Sequence, residues 1–134
     1  MKLVEDKLTI AELINIAGEQ CENEEFRVCV AVADIETMVD IFDTMQKSMY
    51  VFYNMSPDKL EVKYSNGSRL YVLWIDEHAY CTRGRRFDYV LIDSRFSDDA
   101  KRVIGTTAVR NIYFKLSNMS FDDNRINAIQ EFTI

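Results

Sequence analysis

Apolar positions recur along this chain with two different periods, and the switches between them mark out its elements. Ile10, Leu13, Ile14 and Ala17 fall at i, i+3, i+4 and i+7, which predicts an amphipathic helix ending near Gly18. Thr9 and Glu12 open it as a capping box, each placed to satisfy the other's orphan amide. Phe26–Val32 (FRVCVAV) then reads as a buried strand. Asp34 is placed to cap a second helix with Ile35, Met38, Val39, Phe42, Met45 and Met49 on its apolar face. At helical spacing this methionine-rich stripe is expected in the core, and its other reading is the lining of a ligand groove.

Ser56, Pro57 and Asp58 turn the chain into a region of strands. Leu60, Val62 and Tyr64 alternate with Glu61, Lys63 and Ser65, and Leu70 to Ile75 is continuously apolar. Asn66 and Gly67 lie between the two runs and predict a hairpin with a type I′ turn. Asp88 to Asp93 (DYVLID) is a short apolar run bounded by acids, the pattern of a central parallel strand. Ser97 with Asp98 and Asp99 predicts a helix start, and Ala100, Val103 and Ile104 give that helix an apolar side. Val109–Leu116 is expected as a strand, followed by a last short helix capped by Ser120 or Asp122 and running through Ile126 and Ile129. The resulting order, α-β-α-β-β-β-α-β-α, implies an α/β fold: a three-layer sandwich with a mostly parallel sheet plus an antiparallel hairpin. Residues 27–32 and 88–93 are expected to be neighbouring strands in it, with Val28, Val30, Val90 and Ile92 buried.

Composition narrows the function classes. The 134 residues make one domain, 1–134, long enough to bury about 65–70% of the unfolded surface. Hydrophobic content of 48% against 28% charged is that of an ordinary folded globule, and one proline with four glycines leaves little room for linkers. No apolar run approaches the ~18–20 residues of a membrane span, and the start lacks a signal-peptide core, so a cytoplasmic protein without membrane contact is expected. A net charge of −6 means that any contact with nucleic acid must come from a local basic patch. The acids cluster at Glu22, Glu24 and Glu25, at Asp98 and Asp99, and at Asp122 and Asp123. Solvated helix starts and loops account for them, and mimicry of DNA phosphates is the sharper alternative. Cys21, Cys29 and Cys81 form no CxxC pair and read as reduced thiols, Cys29 within the core.

The strand FRVCVAV, the helix after it, the hairpin bearing Asn66-Gly67-Ser68-Arg69-Leu70, then Arg83-Gly84, then Phe87 and the strand from Asp88 to Asp93 together resemble the ATPase core of the large terminase subunits of tailed phages. Related helicase-type P-loop ATPases share the outline. The resemblance covers roughly residues 26–110 and implies a phage-encoded chain working in the host cytoplasm. By that resemblance Asp93 takes the place of the aspartate on the magnesium side, while Ser94 stands where the catalytic glutamate belongs. No GxxxxGK[ST] loop occurs anywhere in the chain. Without that loop, no backbone nest with its lysine cradles phosphates, and serine without an activating partner is no general base. ATP hydrolysis is therefore not expected, and no cofactor is implied.

Other chemistry stands on the residues alone. Asp76, Glu77, His78, Asp88 and Asp93 form an oxygen-rich set of the kind a magnesium-dependent nuclease uses, with Asp93 and Asp88 the metal-ligand candidates. His78, the single histidine, reads as a loop residue, and Cys81 three positions on makes no catalytic pair by proximity in sequence. The basic loop is the main binding candidate: Arg83, Arg85 and Arg86 around Gly84 are suited to gripping phosphates, with Tyr80 and Phe87 near enough to stack on a base. Arg69 and Arg95 extend the patch if the hairpin and strand ends converge. The alternative is that these arginines pair internally with Asp76, Glu77, Asp88 and Asp98. Two functions remain: a non-catalytic module that occupies a partner protein's surface, a basic one suiting its charge, or a binder of nucleic acid or nucleotide phosphate through the arginine loop.

Overall fold

A computed structural model describes residues 7–23, 25–75, 86–108 and 129–134. Within them the order is α1 (Ile10–Asn23), β1 (Arg27–Val32), α2 (Ile35–Lys47), β2 (Asn54–Ser56), β3 (Lys59–Lys63), β4 (Arg69–Trp74), β5 (Tyr89–Asp93), α3 (Asp98–Gly105) and β6 (Ile129–Phe132). The strands form one six-stranded sheet in the order β2-β3-β4-β1-β5-β6. β4, β1, β5 and β6 are mutually parallel, and β3 and β2 add on antiparallel at one edge.

The sheet is central because both of its faces are apolar. Val28, Val30 and Val32 of β1 face a core shared with Leu13, Ile14 and Ala17 of α1 and Met38, Ile41 and Met45 of α2. Cys29 and Ala31 face the other way, toward Val90 and Ile92 of β5 and Ala100 and Ile104 of α3. This is the expected three-layer sandwich. β1 and β5 pair in register from Val28–Tyr89 to Ala31–Ile92, and Val28, Val30, Val90 and Ile92 are all buried.

Several boundaries differ from the sequence expectation, each for a local reason. α1 does not end near Gly18 but continues to Asn23, because Cys21 extends the buried stripe one turn beyond Ala17. Gly18 serves close approach instead: a Cβ there would lie 3.3 Å from the Tyr50 hydroxyl. The hairpin turn is not type I′. The Gly67 N–H donates to the Tyr64 carbonyl, so Ser65 and Asn66 are the central residues, and Gly67 follows in the left-handed region (φ 90°) as the bulge of a three-residue loop. The Asn66 side chain accepts from the Ser68 N–H and donates to the Cys21 carbonyl, tying this hairpin to the end of α1.

Asn54–Ser56, for which no strand is expected, add a short edge strand just before the turn at Pro57 and Asp58. Ile129, expected on a helix, begins β6, where pairing with Val90 overrides local pattern. The strand expected at 109–116 and the helix start at 120–122 lie outside the described residues. On α2 the buried face is Thr37, Met38, Ile41 and Met45, whereas Ile35, Val39 and Met49 are exposed. Among the described residues no helix is long and apolar enough to cross a membrane.

Three weak acids are held protonated by this packing. Burial, reinforced by Glu22, pushes the Cys21 thiol up to about 12. Burial likewise raises the Tyr89 and Tyr64 hydroxyls far above the usual tyrosine value, with Tyr50 adding to the shift at Tyr64. Raised folded-state values mean that the stabilisation is full below the unfolded pKa and is lost as pH rises above it. Urea unfolding should therefore give a stability that is level through neutral pH and falls steadily above about pH 9. A midpoint unchanged to pH 11 would show that these three groups are not enclosed as described.

Candidate functional site

In an open α/β sheet, the place to look for a site is the carboxyl end of the parallel strands. Here Asp34 lies two residues past β1, Asp93 is the last residue of β5, and Thr133 follows β6. Asp93 is 1% exposed, and each of its carboxylate oxygens accepts two hydrogen bonds. Oδ1 accepts the Arg95 amide and the Arg95 Nε–H, both at 3.0 Å. Oδ2 accepts the Ala33 amide at 3.1 Å and an Arg95 terminal nitrogen at 2.6 Å. An ionised carboxylate has about four lone-pair directions, so this one is saturated.

Arg95 is equally committed. Its guanidinium grips Asp93 side-on, reaches the Asp34 carboxylate at 2.6 Å through one terminal nitrogen and the Thr37 hydroxyl at 2.9 Å through the other. The ends of β1 and β5 and the first turn of α2 are thereby joined in one network. Hydrogen bonds from the Thr37 side chain and amide, with Arg95 adding to them, hold the Asp34 carboxyl below the usual carboxylate range. Ser94 makes no contact of a catalytic kind. Its hydroxyl shares a hydrogen bond with Thr133 and its amide donates to the Phe132 carbonyl, fastening β5 to β6.

The helix starts near this end are closed to anions as well. Thr9 and Glu12 cap α1 reciprocally as expected, Asp34 accepts from the Thr37 amide at the start of α2, and Ser97 accepts from the Ala100 amide at the start of α3. Each first turn also carries at least one carboxylate: Glu12, Glu36, or Asp98 with Asp99. Those charges occupy the positive end of each dipole where a phosphate would otherwise bind.

Many of the sequence-derived candidates fall outside the described residues. Tyr80, Arg83 and Arg85 lie outside the described residues, as do Asp76, Glu77, His78 and Cys81. Arg86 is described and exposed, next to buried Phe87. Arg69 begins β4, bonds Glu61 at 3.1 Å and lies over the Tyr53 ring. Arg69 and Arg95 cannot extend one patch, because they sit at opposite ends of the parallel strands. The same geometry corrects the pairing of Asp88 with Asp93 as metal ligands. Asp88 precedes β5 and Asp93 ends it, so five residue steps along the strand separate them by roughly 16 Å. Asp88 instead receives the Arg27 amide at 2.7 Å. Among the described residues no group of three or more metal-ligating side chains exists.

The α2 stripe, expected in the core with the lining of a groove as its other reading, divides between the two at the β2 edge of the sheet. Between α2 and the β2–β3 hairpin runs an open-sided groove of about 400 Å³, lined by Met38, Val39, Phe42, Met55, Ser56, Pro57 and Leu60. Two of the large exposed hydrophobics line it, Val39 on α2 and Met55 on β2. The sequence did hold a signal for it. Ile35, Val39 and Phe42 repeat at i, i+4 and i+7 beside the truly buried Met38, Ile41 and Met45, making an apolar arc wider than one core contact needs.

No protein-family model and no curated protein matches the chain by sequence. By structure it is similar to the large terminase from the thermophilic bacteriophage D6E, solved in complex with ADP, with a TM-score of 0.55 and 9% identity. The likeness covers 97% of this chain and 37% of the terminase, so the chain spans little more than a third of that protein's length. This is a likeness of fold.

Breaking the network should be costly. Arg95→Ala leaves a buried carboxylate with only backbone donors, and we expect a loss of about 2–4 kcal/mol, below the full value for a buried pair because Arg95 is 46% exposed. The exposed Arg102–Asp99 pair serves as the internal control, and Arg102→Ala should cost no more than about 0.5 kcal/mol. Equal urea midpoints for the two variants would show that the Asp93 network is not structural.

Proposed function

We propose that this chain is a non-catalytic protein-binding module built on a terminase-like sheet, and that it acts by occupying a partner protein's surface through the groove between α2 and the β2–β3 hairpin. The observation that carries this reading is the concentration of exposed apolar side chains at that groove. Val39 is 50% exposed and Met55 57%, and both line it. Fold stability gains little from either of them.

Met49 makes the point most sharply. It follows the last turn of α2 with φ 66°, while the Tyr50 amide closes the turn onto the Met45 carbonyl. That left-handed position normally takes glycine or asparagine, and a larger side chain there costs about 1 kcal/mol. A strained, solvent-facing methionine just past the helix that forms one wall of the groove is accounted for by contact with something outside the chain. Methionines suit such a surface because their flexible thioethers adapt to a partner's shape.

The carboxyl ends of the strands favour the same reading by being committed elsewhere. Asp93 has no acceptor direction left for a metal, and the three helix starts carry their own carboxylates. Magnesium ATP at millimolar concentration should accordingly raise the melting temperature by less than about 1 °C, since stabilisation follows RT ln(1 + [L]/Kd). A shift of several degrees would make the nucleotide-phosphate alternative the better one.

The binding role itself is tested by comparing wild type with Val39→Gln/Met55→Gln. Both positions are exposed, so the double substitution should leave the melting temperature within a degree or two. Affinity capture from the native host should retain a stoichiometric protein on the wild type that the double variant loses. Equal retention by both, or retention of nucleic acid by both, would contradict the reading.

A further inference from the structure

The acidic residues of α2 are not scattered around the helix. Glu36, Asp40 and Asp43 repeat at i, i+4 and i+7, all exposed, and on the helix circumference they lie next to the Ile35–Val39–Phe42 ridge on the side away from the core. One wall of the groove is thus an apolar ridge with an acidic outer rim. The other wall ends at Pro57 and exposed Asp58, a further carboxylate. Lys47, one turn beyond Asp43, is the cation on the same rim, and it leaves the α2 rim with a net charge of −2.

From this placement we infer that the groove takes a cationic amphipathic helix from its partner, apolar residues seated between α2 and β2 and lysine or arginine flanking them against Glu36, Asp40 and Asp43. The inference rests on the groove being a protein-binding surface and adds what binds there. A helix fits better than an added strand. β2 is only three residues long and is followed at once by Pro57, which has no N–H to give, so the edge is a poor template for strand addition. The ridge Ile35–Val39–Phe42, by contrast, has the i, i+4 spacing into which another helix's side chains interdigitate. From Ile35 to Phe42 is about 10 Å, so two to three turns of partner helix span it.

Fluorescence anisotropy with two labelled synthetic helices tests this directly. One carries leucine at i, i+3, i+4 and i+7 with lysine at the remaining positions, and the other has every lysine replaced by glutamate. We expect the leucine–lysine peptide to bind wild type at low ionic strength and the leucine–glutamate peptide to bind at least tenfold more weakly. Neutralising the rim with Glu36→Gln, Asp40→Asn and Asp43→Asn should weaken the leucine–lysine peptide roughly tenfold, three surface pairs at about 0.5 kcal/mol each. It should also flatten the salt dependence. Val39→Gln/Met55→Gln, which leaves the charge unchanged, should abolish binding.

If both peptides bind equally and only Val39→Gln/Met55→Gln weakens them, the groove remains a binding surface but the cationic partner is wrong. Binding that survives Val39→Gln/Met55→Gln would overturn the groove itself. A wild-type dimer in sedimentation velocity that Val39→Gln/Met55→Gln dissociates would make a second copy of the chain the occupant, and would overturn the inference.

Discussion

Asp93 is the fixed point of this fold. It is a carboxylate at the end of the second central strand, removed from water, and an unpaired charge there would cost several kcal/mol. The chain answers with a guanidinium from two residues further on and with amides from both Arg95 and Ala33. Because Ala33 follows β1, and because Arg95 also reaches Asp34 and Thr37, satisfying one carboxylate sets how β1, β5 and α2 meet. Ser94, caught between, fastens β6 through Phe132 and Thr133. A single desolvated charge thus organises four elements.

The same saturation separates fold from chemistry. Asp93 ends a parallel strand, on the side of an open α/β sheet where ligands bind, and by fold the chain is similar to part of a large terminase. A side chain can hold a framework together or hold an ion, but a carboxylate with four partners already in place does not readily do both. With the polar end of the sheet turned to structure, an apolar groove among the described residues lies open at the β2 edge, between α2 and the short hairpin. Sheet-edge devices are visible there too, since β2 is brief and ended by proline.

Much of the fold was legible in the residues because its signals were local. The capping box at Thr9 and Glu12, the cap at Asp34, the apolar strands 27–32 and 89–93 and the start of α3 at Ser97 all stand as the pattern implied. What was not legible depended on distant partners. Gly18 looks like a stop signal until Tyr50 and Tyr64 are brought against it. Ile129 looks helical until Val90 offers it a ladder. The arginine loop lies outside the described residues, and the charges that can be placed were misgrouped for the same reason. Arg95 was grouped with Arg69 by charge, although strand direction puts them at opposite ends, and Asp88 was paired with Asp93 across the length of β5. The α2 stripe left core and groove as alternatives, because Ile35, Val39 and Met38 are all apolar at helical spacing and only packing divides those that meet the sheet from those that meet solvent.

The central claim, that Asp93 is closed by its own chain and free for no metal, is most directly tested by paramagnetic relaxation. Manganese(II) with ATP is titrated into isotopically labelled protein to millimolar concentration, and amide signals are followed residue by residue. The account predicts that Ala33, Asp93, Ser94 and Arg95 broaden no more than buried amides in the middle of β1. Selective loss of those four signals at substoichiometric manganese would contradict it, and would restore a metal-nucleotide site to the end of the sheet.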